Sequence, residues 1–159
     1  MNIVPVTETD WDSLKNIRLE SLLDAPDAFG LTYQEAKMIS DEKWKSIASE
    51  VNGVKFLLAR CNGQDVGLVG GVHTEGQYEL VSMWVMPEKR NGGIGVSLVK
   101  ELLGHAKSQD FTSVVLHVSI RNGAAYSLYS KLGFRALKEA DGSLGGELKK
   151  MVWHSASEL

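Results

Sequence analysis

Cysteine is almost missing from this chain. Cys61 is the only one among 159 residues, so no internal disulfide can form and no metal cluster can be built from thiolates. No metal is therefore expected. Runs of basic residues are also absent, and the net charge of −3 argues against nucleic acid as a partner. No apolar stretch approaches the length of a membrane span, so no membrane partner is expected. The first ten residues, MNIVPVTETD, lack the basic region and long apolar core of a signal peptide, and a cytoplasmic protein is the default. There are no internal repeats, no low-complexity tract and no linker. One domain over residues 1–159 is expected, long enough to bury a proper core.

What is present is organised around residues 80–98, LVSMWVMPEKRNGGIGVSL. An apolar run ends at Pro87 and a charged turn comes next. Then comes Arg90-Asn91-Gly92-Gly93-Ile94-Gly95-Val96, and apolar residues return at helical spacing at Ile94, Leu98, Val99, Leu102, Leu103 and Ala106. This is the pattern of strand, glycine-rich turn and helix. Such a turn aims backbone N–H groups and the positive end of the helix dipole at one point, which suits a phosphate. Glycines let the backbone approach an anion without a Cβ in the way. Arg90 adds a fixed positive charge at the mouth. A P-loop would need Lys-Ser or Lys-Thr after the glycines, and neither is there. A dinucleotide fingerprint would need a third glycine where Leu98 stands. From these residues alone, a glycine-rich turn that only caps a helix remains an equal alternative.

The remaining elements can be placed in chain order. Residues 2–6 form a short strand, placed at a sheet edge by Pro5, which cannot donate to a ladder. Thr7, Thr9, Asp10 and Asp12 supply N-cap chemistry for a helix carrying Trp11, Leu14, Ile17, Arg18, Leu22 and Leu23, which stops before Pro26. Residues 24–32 are turn-rich. A second helix starts near Ser40-Asp41 with Trp44, Ile47, Ala48 and Val51 on one face. Strands at 54–60, 66–73 and 78–86 are joined by Asn62-Gly63, a strong hairpin signal, and by Glu75-Gly76. After the central helix, which runs to about Ser108, come a β-branched strand at 113–120, a helix capped by Asn122 and closed by Gly133, a strand at 134–137, a polar loop at 139–146 and a last strand at 148–153. The class is α+β or mixed α/β, a mostly antiparallel sheet with helices on both faces.

Two motifs carry a family resemblance. Arg90-x-x-Gly93-x-Gly95 resembles the pyrophosphate loop of the GNAT N-acetyltransferase superfamily, and Asn122-x-x-Ala125-x-x-Leu128-Tyr129-x-Lys131-Leu132-Gly133-Phe134 is similar to its second signature. The order of elements matches the GNAT fold along nearly the whole chain. More loosely, RLESLLDAPDAFGLTY looks like the amine-side region of small bacterial members. The resemblance implies a sheet of about seven strands splayed open at the coenzyme A site. It implies an enzyme that moves an acetyl group from acetyl-CoA, its cosubstrate, directly to a primary amine of a small molecule or protein. The alternatives are a non-catalytic acyl-CoA-binding regulator of the same fold and a phosphate-binding interaction module. Dimers are common in the family, which leaves a homodimer open.

The resemblance also assigns roles. Backbone groups from Arg90, Asn91, Gly92, Gly93, Ile94, Gly95 and Val96 would hold the pyrophosphate. The pantetheine arm would lie along Met83, Trp84 and Val85, pairing like an added strand, with an N–H near Trp84 or Val85 facing the thioester oxygen. Tyr129 falls on the position of the tyrosine that protonates the leaving thiolate; its alternative is a core tyrosine. Glu79 stands where many members carry a base that acts through water, with an exposed strand glutamate as the plain reading and His73 and His117 as rivals. Asn122 serves as helix N-cap, as a partner of the pantetheine arm, or as both. Phe29 and Tyr33 are placed to line an acceptor pocket, as is Trp84 if it is not core. His105 and His154 look like surface residues, and Cys61 a small strand residue.

Overall fold

The computed structural model describes residues 1–26, 30–137 and 148–155; Phe29 and the loop expected at 139–146 lie outside the described residues. The strands β1 (Asn2–Pro5), β2 (Val54–Cys61), β3 (Gln64–Thr74), β4 (Gln77–Val85), β5 (Ser113–Ser119), β6 (Arg135–Ala136) and β7 (Leu148–His154) form one seven-stranded sheet in the order β1-β2-β3-β4-β5-β7-β6. Only β4 and β5 run parallel; every other neighbouring pair is antiparallel. This is an α+β fold. Pro5 does sit on an edge strand, where its missing N–H costs no ladder bond.

The helices are α1 (Trp11–Asp24), α2 (Tyr33–Lys37), α3 (Asp41–Ala48), α4 (Ile94–Ser108) and α5 (Gly123–Lys131). Side chains start them as the sequence suggests: Ser40 accepts from the Lys43 N–H at 3.1 Å, and Asn122 from the Ala125 N–H at 3.0 Å. Helix α2 was not expected. Its signal is a capping box, in which Thr32 and Glu35 each bond the other's backbone N–H.

Each face of the sheet buries its own core. Leu14, Ile17 and Leu22 of α1, Ala36 of α2 and Trp44 of α3 pack on Leu58 and Leu68. On the other face Ile94, Leu98, Val99 and Leu102 of α4 pack with Leu116, Phe134 and Met151. Each fully buried leucine contributes about 1.5–3 kcal/mol relative to exposure. Glycine permits the close approach of α4, since a Cβ on Gly67 would stand 2.9 Å from Leu98 Cδ1.

Two features of β4 set the shape of the sheet at its centre. Leu68 pairs with Trp84 but Gly70 with Val81, so β4 carries one extra residue there, and Ser82 takes φ +56°. The bulge changes which side chains face α4. Tyr78 and Leu80 belong to the α4 core, and beyond the bulge so do Met83 and Val85, while Trp84 turns into the core under α1 and α3. The second feature is the seam with β5, where Glu79 and Val115 form the one register pair. Beyond that point the strands part, and the sheet is splayed.

Tyr78 crosses the backbone of Gly71, and its hydroxyl bonds His105 Nδ1 at 2.9 Å, so His105 is half-buried and partnered rather than a plain surface residue. Burial raises the Tyr78 phenol to about 12 and lowers the imidazole, so both partners of this bond are held neutral. A Cβ on Gly71 would overlap that ring. Gly71→Val is therefore expected to cost about 1–3 kcal/mol by overpacking, read from urea unfolding. An unchanged midpoint would mean that Tyr78 swings aside without loss.

Candidate active site

A cleft of about 540 Å³ opens where the end of β4 and the loop after it meet the N-terminus of α4 and helix α5. Met83, Trp84 and Val85 line it from β4, and Arg90 and Asn91 from the loop. Gly93, Ile94, Gly95 and Val96 come from the N-terminus of α4, and Asn122 and Tyr129 from the cap and last turn of α5. These residues, singled out separately along the chain, thus meet around one space. Gly92 lies in the same loop but does not line the cleft. Tyr33 packs on the core under α1 and α3, with the Lys37 ammonium 5.5 Å from its ring centre, and is also outside the cleft.

The loop has the backbone an anion site needs. Asn91 and Gly93 take positive φ, +67° and +86°. The first bond inside α4 runs from Ser97 N–H to the Gly93 carbonyl at 3.0 Å, so the N–H groups of Ile94, Gly95 and Val96 have no partner within the helix. At Gly93 a Cβ would meet no atom within 4 Å, whereas at Gly95 it would press within 2.8 Å of Met83 Cε. Glycine at 95 thus lets the first turn of α4 lie against β4.

Arg90 is not a free charge at the mouth. Its Nε donates to the Val85 carbonyl at 2.8 Å and its Nη2 to Asp24 Oδ2 at 2.7 Å. The same oxygen accepts the Trp84 indole N–H at 2.9 Å. Asp24 was missed in the sequence. It ends α1, where a carboxylate faces the negative end of the helix dipole, and that unfavourable placement is the available signal that it is tied elsewhere. Trp84, 5% exposed, has its ring in the core and is held by this bond.

The Trp84 bond is the main cause that holds the Asp24 carboxyl below the ordinary carboxylate range; desolvation opposes it, and the bond and charge of the Arg90 guanidinium add to the lowering. A depressed carboxylate stabilises the fold above its unfolded ionisation, and that contribution is lost as pH falls through the lowered folded value. On acidification below about pH 4, the wild-type melting temperature should fall more steeply than that of Asp24→Asn. Equal slopes would show that the link adds no stability.

Tyr129 is 6% exposed, with Phe134 edge-on at 5.6 Å between ring centres. Burial pushes its ionisation far above that of a free phenol, so the hydroxyl keeps its proton throughout the neutral range. No hydrogen bond among the described residues uses that hydroxyl. Glu79 is not among the residues that line the cleft, and its Oε2 accepts from His117 Nδ1 at 3.2 Å. His73 is exposed, its ring 5.6 Å from that of Phe111. No group of three or more potential ligands that could hold a metal occurs among the described residues, and no described helix is long and apolar enough to cross a membrane.

Comparison with known proteins agrees with this geometry. The acetyltransferase (GNAT) family profile matches residues 11–134, most of the chain and both motifs. The chain belongs to the GNAT family. Among curated relatives, rat (Rattus norvegicus) N-acetyltransferase 8 is 32% identical over 102 residues, covering 60% of this chain and 46% of its own. The chain thus spans about half the length of that relative. A GNAT acetyltransferase from Streptococcus pneumoniae superposes with a TM-score of 0.80 at 20% identity, covering 96% of this chain and 98% of its own. The PaiA N-acetyltransferase of Thermoplasma acidophilum, solved in complex with coenzyme A, gives 0.76 at 21% identity over 97% and 99%. At these identities the structures show the fold, which is the splayed GNAT sheet.

Proposed function

We propose that this protein transfers an acetyl group from acetyl-CoA directly to a primary amine. The observation that carries the reading is one cleft that joins a glycine-rich loop and helix N-terminus, suited to phosphate, to a buried, protonated phenol. The N–H groups of Ile94, Gly95 and Val96 would take the pyrophosphate, with Gly93 leaving the approach open. The edge of β4 beyond Glu79, unpaired by β5, would bond the pantetheine arm as an added strand along Met83, Trp84 and Val85. Asn122 uses its Oδ1 as the α5 cap, leaving its side-chain N–H₂ for the arm.

Acetyl-CoA supplies an acyl carbon activated by a thiol leaving group. The chain's residues must then handle two protons. An alkyl ammonium must lose one before its nitrogen can attack, and Glu79 marks that side. As the new C–N bond forms and the C–S bond breaks, Tyr129 gives its proton to the departing sulfur, the attacking nitrogen sheds its second proton to water, and Tyr129 regains one from water. Direct attack needs no acyl-enzyme, so Cys61 has no part.

Relatives named N-acetyltransferases and a CoA-bound neighbour support acetyl-CoA as cosubstrate. Calorimetric titration with acetyl-CoA, CoA and ATP tests the binding step. Saturable binding of both CoA species in preference to ATP is expected. Equal binding of ATP would reduce the site to a general phosphate module.

A further inference from the structure

Glu79 and His117, rivals for one role in the sequence, are hydrogen-bonded to each other. From that contact we infer that they act as one unit, in which His117 Nε2 takes the amine's proton, through a water, and Glu79 positions the imidazole. The inference rests on the acetyl-transfer reading and names its base.

The pair spans the place where the sheet begins to open. Glu79 and Val115 form the one register pair of β4 with β5, and His117 lies two residues further along β5, on the same face as Val115. Its Nδ1 stands 3.2 Å from Glu79 Oε2. Both side chains keep partial access to solvent, 24% for His117 and 32% for Glu79. The pair is thus neither sealed in the core nor loose on the surface. Glu79 comes three residues before Ser82, where the bulge turns β4 along the cleft.

Chemistry assigns the roles within the pair. An ionised carboxylate can only accept, so the shared proton sits on His117 Nδ1. That fixes the neutral tautomer and leaves the lone pair on Nε2. Histidine is the side chain most often used as general base, and a carboxylate bonded to its other ring nitrogen is the usual group that orients it. When the ammonium N–H bond breaks and a new N–H bond forms at Nε2, the resulting imidazolium lies against the Glu79 carboxylate. The amine's lone pair is freed for attack, and the imidazolium later loses its proton to solvent. The charged residues that neighbouring strands place against His117 are Glu79 on β4 and, in register on β7, Lys150.

The two variants separate this arrangement from a Glu79 base. Asparagine at 117 keeps a donor near the position of Nδ1 but has no basic atom, so His117→Asn should slow CoA release roughly tenfold at pH 7, with recovery as pH rises toward the amine's own ionisation. Glu79→Gln keeps the imidazole and should cost only about threefold, with the rising limb of the pH profile retained. His117→Gln serves as a second removal of the base, and melting curves establish which variants fold. A wild-type pH profile in a folded His117 variant, or a larger loss in Glu79→Gln than in His117→Asn, would overturn the inference while leaving acetyl transfer standing. Wild-type protein that releases no CoA with any amine would overturn both.

Discussion

Tyr129→Phe should fold and bind acetyl-CoA nearly as the wild type does, yet lose turnover on the order of 10²-fold. Phenylalanine keeps the ring in its buried place against Phe134 and removes only the hydroxyl. A purely structural tyrosine would give the opposite result. If its hydroxyl satisfied a buried partner, the loss would appear in stability, at about 1–3 kcal/mol, with catalysis intact in what remains folded. No described residue is such a partner. The pH dependence is specific as well. Burial holds the phenol far above its ordinary ionisation, so Tyr129 should impose no alkaline limb on the wild-type rate up to about pH 10. Melting temperature, acetyl-CoA titration and CoA release on the two proteins check each part. Full turnover in a folded Tyr129→Phe protein would leave the cleft without its proton donor.

Gly93→Val should lower acetyl-CoA affinity at least about 10²-fold. Two effects add. A valine at φ +86° is strained by about 1–2 kcal/mol, which disturbs the turn that aims the first N–H groups of α4. Its side chain would also stand in the open space in front of those groups, where glycine leaves no atom within 4 Å. A domain stable by about 5–15 kcal/mol survives the strain, so the variant should still melt cooperatively. Gly95→Val acts differently, since its Cβ drives Met83 aside within a regular helix, and should weaken binding less. Wild-type affinity in folded Gly93→Val would remove the loop from the binding site.

Much of this site was legible because its parts lie close together in sequence. The glycine turn, the Asn122 cap and the Asn62-Gly63 hairpin each depend on residues within a few positions of one another. The β4 bulge was not legible. Alternation from Tyr78 and Leu80 carries Trp84 to the α4 face, and no residue type announces that one extra residue at Ser82 sends it to the other. The Asp24 bonds to Trp84 and Arg90 cross 60 and 66 residues, and only the packed fold brings those groups together. That contact also changes the meaning of Arg90, from a charge offered to the ligand to a brace between the loop and α1. Likewise, Glu79 and His117 become partners only when β4 and β5 are known to run side by side.

The most direct test of acetyl transfer is the rate of CoA release from acetyl-CoA across a panel of primary amines: alkylamines, polyamines, amino acids, aminoglycosides and a peptide with a free N-terminus. The account predicts release that saturates with at least one of these amines and yields its N-acetyl product. Acetyl-CoA that binds the wild-type protein but is released only at the rate of its own hydrolysis, whatever the amine, would contradict it.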